Sequence, residues 1–136
     1  MEAASDRNML KTKSVHSPKA PADGLRILAT RVRGRGLPTT AYDVWMPNLA
    51  PNETLLHDYR AGKVPWPEFS RRYKAQMTDT SAVDDGNRVI KNHGQKFTLR
   101  LLQHLARREN VTLMCHCAEA EQHCHRHLLK LLIDRV

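Results

Sequence analysis

Aromatic side chains are scarce in this chain: Phe, Trp and Tyr make up 5% of its 136 residues. The core must then be built mainly from Leu, Val, Ile and Met. A base-stacking platform is also not signalled, because Trp45, Trp66, Phe69 and Tyr73 lack the alternation of a sheet surface and read as packing residues. No apolar run approaches the ~20 residues of a membrane span, and the N-terminus lacks the apolar stretch of a secretory signal. Cysteines number three, and two of them are one residue apart. An odd, crowded set argues against a disulfide framework and for reduced thiols in a cytoplasmic protein. Several catalytic signatures are missing as well. There is no Gly-x-Ser-x-Gly elbow, and neither a P-loop ending nor a dinucleotide fingerprint. Cys117 stands nine positions before Arg126, too far for a tyrosine phosphatase loop.

Positive charge, by contrast, is abundant: the net charge is +8. Residues 1–35 hold eight Lys/Arg against three acids, so +5 of it lies there. Such a bias suits an anionic ligand or nucleic acid bound through the arm, and equally a solvated tail. Residues 1–22 are polar and contain Ser17-Pro18-Lys19-Ala20-Pro21. They read as a mobile basic arm with a short extended piece near Lys13-Ser14-Val15. Residues 23–136 read as one domain, a length that supports a single core.

Within that domain Leu25–Ala29 and Tyr42–Met46 are predicted strands. Asn52 is placed to cap a helix that Gly62 ends, and Pro67 opens a second helix with Phe69, Tyr73 and Met77 on one face. Residues 78–93 are polar and read as a loop. Lys96–Arg108 reads as a helix with Leu101, Leu102 and Leu105 inward. Val111–Cys115 reads as a strand that leads into a last helix through Leu128–Ile133. Strands alternating with helices imply a small three-layer, Rossmann-like α/β domain with a short, mainly parallel sheet.

Chemistry concentrates at the last strand–helix junction. Cys115, His116, Cys117, Cys124, His125, Arg126 and His127 fall within thirteen residues, where open α/β sheets bind ligands. Three readings compete there. In an anion or nucleotide pocket, the helix N-terminus and Arg126 would hold negative charge, and Cys117 or Cys124, assisted by His125, would be a nucleophile. In a metal site, Cys115, Cys117 and Cys124 with His125 or His127 would hold zinc or iron, although the spacing is not that of a paired knuckle. In the third, the thiols are small buried hydrophobes. A second candidate segment follows the first strand of the domain: Arg31, Arg33 and Arg35 alternate with Gly34 and Gly36. There Arg31 and Arg35 would supply forked donors to phosphate or carboxylate, and Gly36 would let the backbone approach it. Nothing in the sequence sets an oligomeric state.

Taken together, Asp23-Gly24-Leu25-Arg26-Ile27-Leu28, Arg31-Val32, Arg35-Gly36, Asp43 with Trp45, Leu49-Ala50-Pro51, Trp66 with Phe69 and Arg72-Tyr73, Val111-Thr112-Leu113, Cys115 and Cys124-His125-Arg126 resemble the domain of unknown function 488 family, in its YeaO-like branch. The resemblance runs in order across about residues 23–133. It implies one small α/β domain with a Rossmann-like sheet, and it implies no established activity. The family usually carries Trp-Pro where this chain has Arg33-Gly34, so the loop here is more basic and more flexible.

Overall fold

The computed structural model describes residues 9–84 and 86–136. Four strands make one parallel sheet: β1 (Leu10–Ser14), β2 (Leu25–Leu28), β3 (Val44–Trp45) and, late in the chain, β6 (Val111–Cys115). Their order is β1-β6-β2-β3. The last strand is thus inserted between the first two, in register Leu10↔Val111 and Leu25↔Val111. All five β6 residues are buried, as a central parallel strand covered on both faces requires.

The alternation of side chains across the pleat decides what each face meets. Leu10, Ile27, Val111 and Leu113 face the helices and join Leu55, Phe69, Tyr73, Met77, Leu99, Leu102 and Leu129 in one core. These come from α1 (Glu53–Arg60), α2 (Trp66–Thr78), α3 (Lys96–Ala106) and α4 (His125–Arg135). On the other face Leu28 and Met114 pack with Val15 under Leu37, Ala41 and Tyr42. That layer is irregular chain with short 3-10 turns. Its polar sheet residues are satisfied in place: Arg26 forks onto Asp43, and Thr112 Oγ1 donates to the Asp23 carbonyl.

Local signals account for the helix ends. Asn52 Oδ1 accepts from Leu55 N at 2.8 Å, and Gly62, at φ +75°, ends that helical segment. Pro67 lies in the first turn of α2, while Phe69, Tyr73 and Met77 are buried along one face. The Tyr73 hydroxyl donates to the Leu49 carbonyl, which satisfies a phenol inside the core.

Three expectations are corrected. Leu10–Ser14 is a sheet strand, so the mobile arm cannot include it; residues 1–8 lie outside the described residues. Three of its five side chains are only half-buried, so its apolar signal is faint and its stability comes from the ladder to β6. Residues 78–93 hold an antiparallel hairpin, β4 (Thr80–Asp84) and β5 (Asn87–His93), bulged between Ala82 and Asp84. Val89 in it is 90% exposed, and backbone pairing defines the hairpin. In α3, Leu99 and Leu102 face the core, but Leu101 is 55% exposed; the helix is rotated toward Leu99 and Ala106.

Candidate functional site

Parallel strands β2 and β6 end side by side, so the chain leaving each one emerges at the same edge of the sheet. Thr30–Val32 follows β2 and Cys115–Cys117 closes β6. Together with the start of α4 and one face of α1 and α2, they enclose a cavity of about 130 Å³. The α1–α2 wall is apolar and aromatic, with Leu56, Tyr59, Trp66 and Phe69. Arg31 and Arg60 enter the lining from opposite elements. Among the described residues, no carboxylate lines the cavity.

His116 holds the two loops together. Its Nε2 lies 3.0 Å from the Val32 carbonyl oxygen, and its ring packs against Gly34, where a Cβ would approach to 2.7 Å. Gly34 also has φ +92°. Glycine is therefore needed there for both backbone and space. The strand pleat explains the arrangement: His116 points away from the helices, while Cys115 points toward α4.

On the helix side the three thiols converge. Cys115 Sγ and Cys124 Sγ are 2.8 Å apart, and all three sulfurs lie within 4.8 Å of one another. Three ligand atoms this close could hold a metal ion. All three line the cavity; Cys115 and Cys124 are buried, whereas Cys117 is only partly so. Cys124 is the N-cap residue of α4, so the positive end of that helix meets sulfur. The Cys115 and Cys124 thiols hydrogen-bond to Cys117 and lower its pKa below the usual thiol range, helped against burial by the charge of Arg126. Cys115 is raised, first by its bond to Cys117, and Cys124 first by its bond to Cys115. The three titrate as one unit that gives up its first proton readily and holds the other two.

His125 binds the Ala29 carbonyl through Nε2, which makes that nitrogen the donor and leaves Nδ1 as the acceptor. Nδ1 is 4.0 Å from Cys124 Sγ. Burial lowers the His125 pKa, so the ring favours the neutral form.

Arg126 is not the ligand clamp that its sequence position suggests. It is fully buried and does not line the cavity. Nη1 donates to Cys115 Sγ at 2.8 Å, and Nη2 donates to the Ala118 and Glu119 carbonyls at 3.0 Å each. Its Nε has no partner among the described residues. Burial opposes its charge, but the Cys115 sulfur and neighbouring negative groups outweigh that and keep it protonated. Arg126 thus pins the cysteine loop from behind. Glu119 pins it from the side, its carboxylate accepting from Ser14 N and Ser17 Oγ.

The remaining expected residues divide. Arg31 reaches the cavity and, among the described residues, pairs loosely with Glu53 at 3.9 Å. Arg35 and Gly36 are exposed and outside its lining, in a turn that Leu37 N closes by donating to the Gly34 carbonyl. Arg60, Tyr59 and His123 belong to the cavity and carry no motif. Only the docking of α1 and α2 brings the first two there. His123 stacks on Trp66 at 4.7 Å, and Trp66 stacks on Phe69 at 5.2 Å, so that tryptophan is engaged within the wall.

The profile of the DUF488-N3a family, described as the active DUF488-N3 subclade, matches residues 10–135. No curated protein and no solved structure matches the chain. The matched span begins at β1 and ends in the last turn of α4, so it includes both loops of the cavity.

Proposed function

We propose that this chain, which belongs to the DUF488 family, binds an anionic small molecule in the cavity and presents Cys117 to it as a nucleophile. The carrying observation is the sign of the walls: two arginines, no carboxylate among the described residues, and three sulfurs of which Cys117 alone is partly exposed. Arg31 and Arg60 would take the anionic group, phosphate or carboxylate, through forked hydrogen bonds. They would also offset the repulsion between that group and a thiolate. A cavity of about 130 Å³ is below the roughly 300–1,000 Å³ of pockets that enclose drug-sized ligands. The anionic end of a nucleotide fits inside, with its ring toward the Tyr59 and Trp66 wall and the mouth.

Thermal-shift titration with inorganic phosphate and with nucleoside monophosphates tests binding. A double Arg31→Ala, Arg60→Ala variant should bind at least about tenfold more weakly, since a charge-assisted hydrogen bond contributes about 1.5–3 kcal/mol. Undiminished binding by that variant would refute the assignment. Alkylation of the reduced protein by iodoacetamide should fall first on Cys117.

A metal-thiolate reading rests on the same three sulfurs. In a tetrahedral zinc site with bonds of about 2.3 Å, sulfurs sit roughly 3.8 Å apart. Cys115 and Cys124, at 2.8 Å, would have to separate by about 1 Å. Arg126 also places a positive charge on the Cys115 sulfur. Both features favour the anion reading over zinc or iron.

A further inference from the structure

We propose that the three cysteines form a two-electron thiol relay that reduces small hydroperoxides: Cys117 meets the oxidant, and Cys115 and Cys124 end as the disulfide. The relay goes beyond the ligand reading and shares with it the cavity and the partly exposed Cys117 sulfur.

Three observations carry it. A single nucleophile needs one thiol, yet three converge at the cavity wall, and only Cys117 is partly exposed while the other two are buried. The buried pair is already in contact, 2.8 Å apart, about 0.8 Å beyond a disulfide bond of ~2.05 Å. Arg126 Nη1 lies 2.8 Å from Cys115 Sγ and 3.9 Å from Cys124 Sγ, where its charge favours whichever buried sulfur is momentarily anionic. An accessible thiol beside a resolving thiol is the arrangement of peroxide-responsive cysteines. The cavity size selects the oxidant class: a hydroperoxide fits, whereas a peptide disulfide exceeds the space.

The chemistry balances in three steps. The Cys117 thiolate attacks the terminal oxygen of ROOH; the O–O bond breaks, and the alkoxide takes up one proton and leaves as ROH. The resulting sulfenic acid is attacked by the Cys124 thiol; a Cys117–Cys124 bond forms, and the hydroxyl departs as water with the Cys124 proton. Cys115 then attacks the Cys124 sulfur, the bond to Cys117 breaks, and Cys117 leaves as thiolate. The Cys115 proton released here replaces the one taken up at first. The net reaction oxidises two thiols to a disulfide and reduces ROOH to ROH and water; an external dithiol resets it. Cys124 must resolve first, because Cys115 and Cys117 are separated by one residue, and so small a ring strains a disulfide.

The test uses the full reduced chain and hydrogen peroxide. Intact mass should fall by two hydrogens, one thiol should remain titratable, peptide mapping should link Cys115 to Cys124, and dithiothreitol should reverse the change. Cys115→Ser should stop at the Cys117–Cys124 disulfide, and Cys124→Ser at a Cys117 sulfenic acid that dimedone traps. Conversion of Cys117 to sulfinic or sulfonic acid with the other two thiols free would overturn the relay, as would a bound metal that keeps all three unreactive. The two readings fail separately. Over-oxidised Cys117 with phosphate binding intact removes the relay alone. A linked Cys115–Cys124 pair with no anion binding removes the ligand reading alone.

Discussion

Replacing Arg126 with Met should cost about 3–5 kcal/mol of stability. The side chain is 0% exposed, so solvent does not screen what it does. It makes one short contact to a sulfur and two 3.0 Å bonds to carbonyls. At about 1.5–3 kcal/mol for each charge-assisted bond, these total roughly 5–9 kcal/mol. Removing the buried guanidinium also removes its desolvation penalty, which is several kcal/mol, and that offsets about half. Methionine fills most of the volume, so the cavity contribution is small. The remainder is a large share of the 5–15 kcal/mol typical of a domain. Urea unfolding of wild type, Arg126→Met and Arg126→Lys would measure it. Lysine keeps the charge without the fork and should fall between the other two. The same substitution frees the cysteine loop, so Cys117 alkylation by iodoacetamide at about pH 6, where an ordinary thiol is mostly protonated, should slow in the folded variant. A loss below about 1 kcal/mol with an unchanged alkylation rate would refute the claim that Arg126 organises the site.

Two further outcomes follow from named contacts. Gly34→Ala should destabilise by more than Gly36→Ala: both have positive φ, which costs an ordinary residue about 1–2 kcal/mol, but only the Gly34 Cβ strikes His116. Phosphate affinity should fall in Gly34→Ala alone, and equal effects in both variants would remove His116 as the link between the loops. Asp23 is buried; burial raises its pKa, but Lys13 and the Ala20 N–H outweigh that and leave it lowered. A carboxyl lowered on folding contributes stability above its unfolded pKa of about 3.9, and loses it as pH falls through the folded value. Asp23→Asn should therefore be less stable near neutral pH and should lose less on acidification, as urea midpoints at several pH values would record.

Much of the fold was legible in the residues because it rests on local rules. Asn52, Gly62 and Pro67 mark helix ends through hydrogen-bond geometry that involves only their neighbours. The Phe69, Tyr73, Met77 spacing encodes a buried face wherever that helix goes. Strand β1 was harder to see because Lys11, Thr12 and Lys13 carry no apolar alternation; pairing with β6, a hundred residues away, makes it a strand. The hairpin of β4 and β5 escaped for a related reason, since backbone bonds define it and Val89 stays in solvent.

The candidate site divides along the same line. Sequence by itself determined that three thiols, His125 and Arg126 gather where a strand passes into a helix, because their spacing is covalent. It also determined the arginine–glycine loop after β2. Which of these groups face the cavity was set by tertiary packing alone. The insertion of β6 beside β2 puts the two loops on one edge, and the pleat turns His116 toward Gly34 while Cys115 turns toward α4. The docking of α1 brings Arg60 to the cavity. Arg126, which the sequence offers as a binding residue, is instead consumed by the Cys115 sulfur and the loop carbonyls. The direction of a side chain depends on strand order and helix packing, which are long-range contacts, and composition and spacing record only short-range ones.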